Sequence, residues 1–283
     1  MKLKNLVFLK NYSYDFKSLI LILLLCTEPI TDYTLFNQFI IWNVGQGSWS
    51  TLIENNYCIH FDAGGEKFPI KKINSLCQFR HNIILFSHFD KDHYNGSYLL
   101  LSTIKKTCRF DYNFQDLSKT IPAKLKLIPI CNLKKIKLNS KILDILNFKI
   151  YDPNLIFNNS NSKNKRVKLN SKVKSNDSSL IALTHSILIP GDSPFQKEKI
   201  WAPVIKKSQT SGQVIRKLIL GHHGSKTSNS DFLFETISHL NQCFCSSRKQ
   251  KYGHPHKDII QRIKKFKCPL LTTEMWGHIH IIL

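Results

Sequence analysis

The chain has 283 residues, of which 42% are hydrophobic and 11% aromatic. This apolar content excludes a wholly disordered chain, and the length allows one large domain or two small ones. The longest uncharged apolar stretch, residues 18–27, is shorter than the ~20 residues of a membrane-spanning helix, which excludes a polytopic membrane protein.

The chain carries 41 Lys and Arg against 19 Asp and Glu, which gives a formal net charge of +22. An excess of this size attracts polyanions such as nucleic acid, or an anionic membrane surface. The alternative explanation is base composition, because 35 Lys against 6 Arg, with many Asn and Ile residues, is the usage expected of an AT-rich genome. Charge alone therefore identifies no activity, but it makes a negatively charged substrate easier to bind.

The N-terminal segment, residues 1–31, has the pattern of a signal peptide or membrane anchor. Basic residues precede the apolar run at 19–25, as the n-region and h-region of a signal peptide do. No small-x-small cleavage site follows, so a cleaved signal, an uncleaved anchor, a misassigned start codon and a buried helix of the domain all remain open. We expect the remaining domain, residues 32–283, to be exported to the periplasm, the medium or the membrane surface, where a retained segment would contact the membrane. The eight cysteines allow disulfides in such an oxidising compartment, but their spacing assigns no pairing.

The first half of the domain predicts a strand, a hairpin and a second strand. Residues 39–44 form an apolar run that ends at Gly45. Residues 49–54 and 57–61 predict a hairpin around Asn55-Asn56, and the continuous apolar run 82–86 predicts a strand covered on both faces. Residues 94–153 give no clear pattern.

The second half predicts a basic loop, then strands alternating with helices. Residues 158–176 hold six basic residues and no acid, which indicates an exposed flexible loop. The segments that follow predict an α/β layered domain. They are a hairpin at 180–184 and 187–190, strands at 217–220 and 243–246, helices at 231–240 and 257–267, and short closing strands.

A cluster of metal-capable side chains directly follows the predicted strand 82–86. His88, Asp90, Asp92 and His93 lie within six residues. Imidazole and carboxylate ligands together suit a divalent ion such as zinc, manganese or iron. The alternative is a solvated turn that binds nothing.

Three other predicted strands also end in His or Asp. Because sites in α/β sheets gather beyond the carboxyl ends of strands, the set indicates one shared metal site. Six or so ligands exceed the need of one catalytic ion, and a carboxylate such as Asp192 can bridge two. The sequence therefore predicts two divalent ions, zinc or manganese. The residues at these further strand ends are Asp192, His222, His223, His254 and His256.

The segment 88–93 resembles the HxDxDH variant of the metallo-β-lactamase signature, in which Asp replaces the second His. The order of the motifs is similar to the C-terminal metallo-β-lactamase domain of ComEC-type DNA-uptake (competence) proteins, from about Phe39 to Leu283. The matching motifs are Val44-Gly45-Gln46-Gly47, Phe61-Asp62-Ala63-Gly64-Gly65, Asn176-Asp177-Ser178-Ser179-Leu180, Pro190-Gly191-Asp192, Gly221-His222-His223-Gly224-Ser225-Lys226-Thr227 and Tyr252-Gly253-His254-Pro255-His256.

The resemblance implies a four-layer αββα sandwich with a metal site at its edge, in a domain that lies outside the cytoplasmic membrane and degrades DNA. It implies that His88 and Asp90 bind one ion, that Asp92 and His93 bind the second, and that Asp192 bridges them. Between the two later histidines we favour His222 as the remaining ligand. Catalytic roles fall to Asp92 and His254, and the expected substrate contacts are Asn176, Ser178, His223, Ser225, Lys226, Tyr252 and His256.

The chain departs from the competence family at Asn43 and Ser48, where an acid is usual. The membrane channel of the competence proteins is absent from this sequence. Three functions stay open: a metal-dependent nuclease acting on DNA, a hydrolase of a small phosphoester, lactone or lactam, and a non-catalytic nucleic-acid-binding protein on this fold. Metal content separates the first from the third, and salt dependence with a preference for long polymers separates the first from the second.

Overall fold

The computed structural model describes residues 37–110, 121–131, 148–151, 175–209, 214–237 and 239–283. The predicted N-terminal segment, residues 1–31, and all but the last two residues of the predicted basic loop lie outside these ranges. Residues Asn37–Leu283 belong to one compact unit. Within the described ranges, every helix is too short or too polar to cross a membrane.

The first sheet contains the predicted N-terminal strands. Its members are β1 (Gln38–Ile41), β2 (Ser50–Glu54), β3 (Tyr57–Phe61), β4 (His81–Leu85), β5 (Thr107–Arg109) and the C-terminal β12 (Ile279–Ile282), in the order β12-β1-β2-β3-β4-β5. The predicted hairpin forms between β2 and β3, where Glu54 pairs with Tyr57. β3, β4 and β5 run parallel, and the other neighbours are antiparallel.

The second sheet also has six strands. It consists of β6 (Phe148–Tyr151), β7 (Ile181–Thr184), β8 (Ile187–Ile189), β9 (Lys217–Ile219), β10 (Gln242–Cys245) and β11 (Leu270–Thr272), in the order β11-β10-β9-β8-β7-β6. β8 to β11 run parallel, so their carboxyl ends lie at the same edge of the sheet.

Helices flank both sheets. Those of the first half are α1 (Ile70–Cys77), α2 (Lys91–Tyr94) and α3 (Ser97–Thr103), followed by a 3₁₀ helix at Ala123–Leu127. Those of the second half are α4 (Phe195–Gln209), α5 (Asp231–Thr236), α6 (Lys249–Tyr252), α7 (Lys257–Lys265) and α8 (Thr273–Trp276), with 3₁₀ helices at Ser175–Ser178 and Gly221–Gly224.

Three apolar cores separate four layers. Between the sheets, Phe39 and Phe61 of the first sheet pack in one cluster with Ile187 and Phe244 of the second. Alternate strand side chains face the other way, because successive residues of a strand point to opposite faces. The second cluster joins the first sheet to α1 and α3, and the third joins the second sheet to α4, α5 and α7. The predicted αββα sandwich is therefore confirmed.

Some elements are shorter than their apolar patterns predict. β1 ends at Ile41 rather than at residue 44, because the Asn43 amide leaves the ladder and donates to His278 Nδ1 at 3.0 Å. α7 ends at Lys265, two residues before Lys267 adopts a left-handed φ of 51°. α5 likewise ends at Thr236.

Three disulfides join strands to neighbouring segments. Cys58 of β3 pairs with Cys77 of α1, Cys108 of β5 pairs with Cys131, and Cys243 of β10 pairs with Cys268. Cys245 is buried and has a free thiol. The pairings that the sequence left unassigned are thus fixed by the fold.

Candidate metal centre

Four strand ends from the two sheets meet, and the segments after them carry all six of the predicted metal ligands. Asp62 follows β3, the segment 87–93 follows β4, Asp192 follows β8, and the turn Gly221–Gly224 follows β9. Contacts between these segments converge on the Asp192 carboxylate. The fold thus brings together side chains that are up to 161 positions apart in the sequence (from 62 to 223).

The His88 imidazole is buried, and its two nitrogens have different surroundings. Nδ1 lies 3.0 Å from Ser87 Oγ and 3.3 Å from Ser179 Oγ. Nε2 has no hydrogen-bond partner in the described part of the chain, and it lies 3.4 Å from Asp90 Oδ2 and 3.9 Å from Asp192 Oδ2. A buried ring nitrogen that lacks a hydrogen bond and faces two carboxylates is the arrangement expected of a metal ligand.

His93 is held from one side by Asp62 and points its other nitrogen into the centre. Its Nδ1 lies 2.7 Å from Asp62 Oδ2, while its Nε2 lies 3.2 Å from Asp192 Oδ1 and 3.3 Å from His223 Nε2. Asp62 also accepts hydrogen bonds from the Ser87 backbone N–H at 2.7 Å and from its hydroxyl at 2.9 Å. Because a carboxylate only accepts, Nδ1 carries a ring proton whether His93 is neutral or charged, which leaves Nε2 as the atom that can bind a metal ion.

The charges of this cluster depend on one another. Burial alone would raise the pKa of Asp192, but His93 and His223 outweigh it and hold that pKa well below its usual range. Burial likewise opposes a lowered pKa at Asp92, yet the hydrogen bond from His223 and the nearby imidazoles keep it low. Burial would lower the pKa of His93, but Asp192 and Asp62 raise it well above its ordinary value. The carboxylates therefore favour positive charge at their centre, which a metal ion supplies as well as protons do.

The two adjacent histidines after β9 have an unusual backbone. His222 (φ 50°, ψ 45°) and His223 (φ 54°, ψ 25°) are both left-handed, a conformation that costs about 1–3 kcal/mol per residue. Surrounding hydrogen bonds hold it: the Asn229 side chain binds the Gly221 N–H and C=O at 2.7 and 2.8 Å, and buried Glu198 accepts from the Asn229 N–H at 2.5 Å. Such strain, held by its surroundings, is typical of functional sites.

This backbone turns both rings toward Asp192. His222 Nε2 lies 3.6 Å and His223 Nε2 3.8 Å from Asp192 Oδ2. His223 Nε2 also lies 3.2 Å from Asp92 Oδ2, and its Nδ1 lies 3.1 Å from the Ser246 carbonyl oxygen. The preference for His222 over His223 as the later ligand stays a prediction, because both rings face the same carboxylate.

The predicted residues of the segment 252–256 differ in their contacts. The His254 ring centroid lies 6.2 Å from that of His222 and 6.0 Å from that of Tyr252, which is 59% exposed. His254 Nδ1 is buried without a hydrogen bond to any described residue, and burial together with the two neighbouring imidazoles lowers the pKa of His254 to about 4. His256 instead begins α7, where its Nδ1 accepts from the Asp258 N–H at 3.3 Å.

The remaining predicted substrate contacts belong to two turns. In the turn Ser175–Ser178, the Ser178 hydroxyl donates to the Ser175 carbonyl at 2.6 Å, and Asn176 O accepts from a backbone N–H. In the turn after β9, buried Ser225 contacts the Thr227 hydroxyl at 3.1 Å, whereas Lys226 is exposed. Whether these residues contact a substrate stays a prediction.

Several site residues lie outside the set chosen from the sequence. Asp62 orients His93. Ser179 contacts His88 and accepts from the Asp192 N–H at 3.1 Å. The pKa of Asp90 is lowered first by His88 and, against burial, also by a hydrogen bond from Ser175. The motif containing Asp62 follows a predicted strand, so the strand-end argument applied to His88 would have found it; the serines carry no such signal.

Gly64 of the same motif is required by close packing. A Cβ at this position would lie 2.5 Å from the Asp92 carbonyl carbon, while the neighbouring Ala63 N–H donates to the His93 carbonyl at 2.8 Å. The turn after β3 therefore supports the backbone of the segment that carries Asp92 and His93.

Two overlapping groups of side chains fit a metal ion. They are His88, His93 and Asp192, and Asp92, His93 and His223, with ligand atoms that lie within 4.8 Å of one another in each group. Nitrogen and carboxylate donors of this kind suit zinc and also manganese. Together with the unpaired His88 Nε2, this donor set fits the divalent ions that the sequence predicts.

Comparisons with known proteins support the fold and the sequence resemblance. No family model matches the chain. A stretch of 97 residues, 34% of the chain, is 29% identical to Recombination protein 2 of Haemophilus influenzae, and it covers 11% of that protein. The metallo-beta-lactamase fold protein YhfI from Bacillus subtilis superposes with a TM-score of 0.51 at 9% identity, over 87% of this chain and 100% of that one. The metallo hydrolase Igni18 from Ignicoccus hospitalis gives a TM-score of 0.48 at 8% identity, over 87% of this chain and 99% of that one.

The chain therefore has the metallo-β-lactamase fold. The match to Recombination protein 2 supports the resemblance to the competence proteins, although the matched stretch covers only 11% of that protein's length.

Proposed function

We propose that this protein is a dinuclear metal-dependent phosphodiesterase that cleaves DNA. The observation that carries the proposal is the convergence of four imidazole Nε2 atoms on the Asp192 carboxylate. These belong to His88, His93, His222 and His223, at 3.9, 3.2, 3.6 and 3.8 Å from its oxygens. Four imidazoles around one buried carboxylate are more candidate ligands than a single catalytic metal ion uses.

In the proposed assignment Asp192 is shared between two ligand sets. His88, Asp90 and His222 form one set. Asp92 and His93 form the other, and the 3.2 Å contact of His223 with Asp92 favours adding His223 to it rather than keeping it as a substrate contact. Bound divalent ions would lower the pKa of a bound water toward ~7 and polarise a phosphoryl oxygen.

The chain's own residues orient this centre and the substrate. Asp62 fixes the tautomer of His93, and the Ser87 and Ser179 hydroxyls fix the ring of His88. His254, whose Nδ1 has no hydrogen-bond partner among the described residues, is assigned to the leaving group. Exposed Lys226, four residues after His222, is assigned to a phosphate of the substrate.

Two further observations favour DNA over a small neutral substrate. The net charge of +22 suits a polyanion, since binding of a phosphate backbone releases counterions. The matched relative is named for recombination, a process whose substrate is DNA.

We propose that the protein acts outside the cytoplasm. Three disulfides among the described residues are what an oxidising compartment permits, and they are rare in cytosolic proteins. The basic and apolar pattern of residues 1–31 is consistent with export to the periplasm, the medium or the membrane surface.

The test is metal-dependent cleavage of labelled single- and double-stranded DNA by the full chain. Metal-free protein should be inactive, and added manganese or zinc should restore cleavage in the wild type. His88→Ala should abolish that cleavage, while His239→Ala, which removes an exposed histidine outside the ligand motifs, should leave it unchanged. If the protein binds two ions stoichiometrically but cleaves neither DNA, the substrate is another ester and not DNA. Failure to bind any metal would instead favour a non-catalytic protein on this fold.

A further inference from the structure

A cavity lies beside β12, and its lining residues are distinct from those assigned to metal. It has a volume of about 600 Å³, within the range of pockets that hold small ligands. Its wall is built by the start of α1, the end of α8 and the first residues of β12. The residues that matter for its chemistry are Asn43, Lys67, Lys72, Trp276 and His278.

The lining of this cavity is positively charged. Among the described residues, Lys67 and Lys72 have no ion-pair partner and no acidic side chain lines the cavity. The first turn of α1 contains Lys71 as well as Lys72 and no acid, although cations are unfavourable at the positive end of a helix. The lysine charges add to the positive end of the helix dipole. Positive electrostatic potential is therefore concentrated at the mouth of the cavity, which suits an anionic ligand.

Polar groups of the wall are fixed in their hydrogen-bonding roles. His278 Nδ1 accepts from the Asn43 backbone N–H at 3.0 Å, so its Nε2 carries the ring proton and can donate to a ligand. The Asn43 side chain is itself held, because its amide donates to the Thr273 carbonyl at 2.7 Å. The wall therefore presents a preformed donor beside the two lysines.

Trp276 adds an exposed aromatic surface to this wall. The chain has four tryptophans, and Trp42, Trp49 and Trp201 are at most 1% exposed, whereas Trp276 is 65% exposed. A large indole surface in water is costly for a monomer, and aromatic side chains beside lysines are the recurring feature of single-stranded nucleic-acid sites.

The cavity is connected to the candidate metal centre by a short stretch of chain. Asn43 lines the cavity, and the Ser48 N–H donates to the Asp92 carbonyl at 3.0 Å. Asn43 and Ser48 are five positions apart, so their Cα atoms lie at most roughly 19 Å apart at 3.8 Å per step. This upper bound is short enough for one extended strand to reach both the cavity and the metal centre.

We propose that this cavity binds a nucleotide of single-stranded DNA, with the base stacked on Trp276 and the flanking phosphates on Lys67 and Lys72. The site lies a few nucleotides from the scissile bond and holds the strand whose cleavage is assigned to the metal centre. The inference rests on the proposed function for the identity of the ligand as DNA, but binding at this site does not require cleavage.

The test measures binding without turnover. Metal-free full-length protein is titrated with a 12-nucleotide single-stranded oligodeoxynucleotide, and binding is followed by anisotropy of a labelled strand and by tryptophan fluorescence. Because the other three tryptophans are buried, quenching on binding reports stacking on Trp276. Trp276→Ala should weaken binding about 5- to 150-fold, which corresponds to about 1–3 kcal/mol per stacked base. Met275→Ala, which removes the adjacent and 81% exposed side chain that does not line the cavity, should bind as the wild type does.

The lysines are tested by salt dependence. Each phosphate contact contributes about 0.7 to the slope of log affinity against log salt for single strands, so a Lys67→Gln/Lys72→Gln double variant should lower that slope by about 1.4. An unchanged slope, or wild-type affinity of Trp276→Ala, would overturn the inference even if the protein cleaves DNA. Tighter binding of an RNA of equal length would also overturn it, because the ligand would then not be DNA. Trp276-dependent binding by a protein that cleaves no DNA would uphold this site and refute only the proposed activity.

Discussion

The Asp62→Asn substitution tests whether His93 binds metal through its Nε2 atom. Asp62 accepts three hydrogen bonds, from the Ser87 N–H, the Ser87 hydroxyl and the His93 ring. An amide of the same shape offers one acceptor and one donor where the carboxylate offered two acceptors. The variant must therefore place its NH₂ group against either the Ser87 N–H or His93 Nδ1.

Each orientation has a definite cost. If the amide donates to His93 Nδ1, the ring proton moves to Nε2 and blocks the metal ligand. If it faces Ser87 instead, His93 keeps its tautomer but a buried backbone N–H loses its acceptor, which costs about 1–3 kcal/mol. Metal binding requires the second orientation, so we expect affinity to fall about 5- to 150-fold. This range agrees with the 10- to 100-fold effect typical of residues that orient metal ligands.

Competition between the protein and a chelator for zinc or manganese measures this affinity. The matched control is Asp231→Asn, which makes the same chemical change in a 43% exposed carboxylate that pairs with Arg262 and Lys265. That control should bind metal as the wild type does. If Asp62→Asn is folded and its metal affinity is within twofold of the wild type, then His93 Nε2 is not a ligand and the assignment is wrong.

Two further predictions concern stability. Burial lowers the pKa of His60 from 6.5 to about 4, against a hydrogen bond to Asn82 that opposes the shift. The unfolded chain therefore binds a proton between these values that the folded chain does not. The stability from this group is complete above about pH 6.5 and falls by about 2 kcal/mol from pH 7 to pH 5. Urea unfolding at both pH values should show that the free energy of unfolding falls by about 2 kcal/mol less in His60→Gln than in the wild type. An equal fall in both proteins would contradict the role of His60. The disulfide between Cys58 and Cys77 closes a loop with a sequence separation of 19, so a double alanine variant should lose about 3 kcal/mol. Chemical denaturation measures the loss, and the control Cys245→Ala removes the free buried thiol; equal stability of the double variant and the wild type would show that this crosslink contributes nothing.

The elements that sequence patterns predicted are those that local physics defines. The β2–β3 hairpin follows from two alternating runs around Asn55-Asn56, where Asn55 takes the left-handed φ of 50° that asparagine tolerates. The β4 strand follows from a continuous apolar run, as expected of a strand buried on both faces. The end of β1 was less predictable, because the backbone N–H of Asn43 leaves the ladder and donates to His278, which is 235 residues away.

The site was predictable in outline for a related reason. Parallel strands bring their carboxyl ends to a common edge, so His88, Asp192 and His222 could be grouped before their distances were known. The left-handed pair at 222–223 could not be foreseen, since neither residue type requires that backbone. This backbone depends on hydrogen bonds of Asn229 and of Glu198, which belongs to α4.

The sequence by itself determined the layered α/β class, the strand-end cluster of histidines and carboxylates, and the charge that favours a polyanion, because each follows from local periodicity or composition. Only the tertiary structure decided which cysteines pair, that Asp62 orients His93, that both His222 and His223 face Asp192, and that Trp276 lies beside Lys67 and Lys72. These facts depend on contacts between segments far apart in the chain, whose positions are fixed by packing of the two sheets rather than by any local pattern.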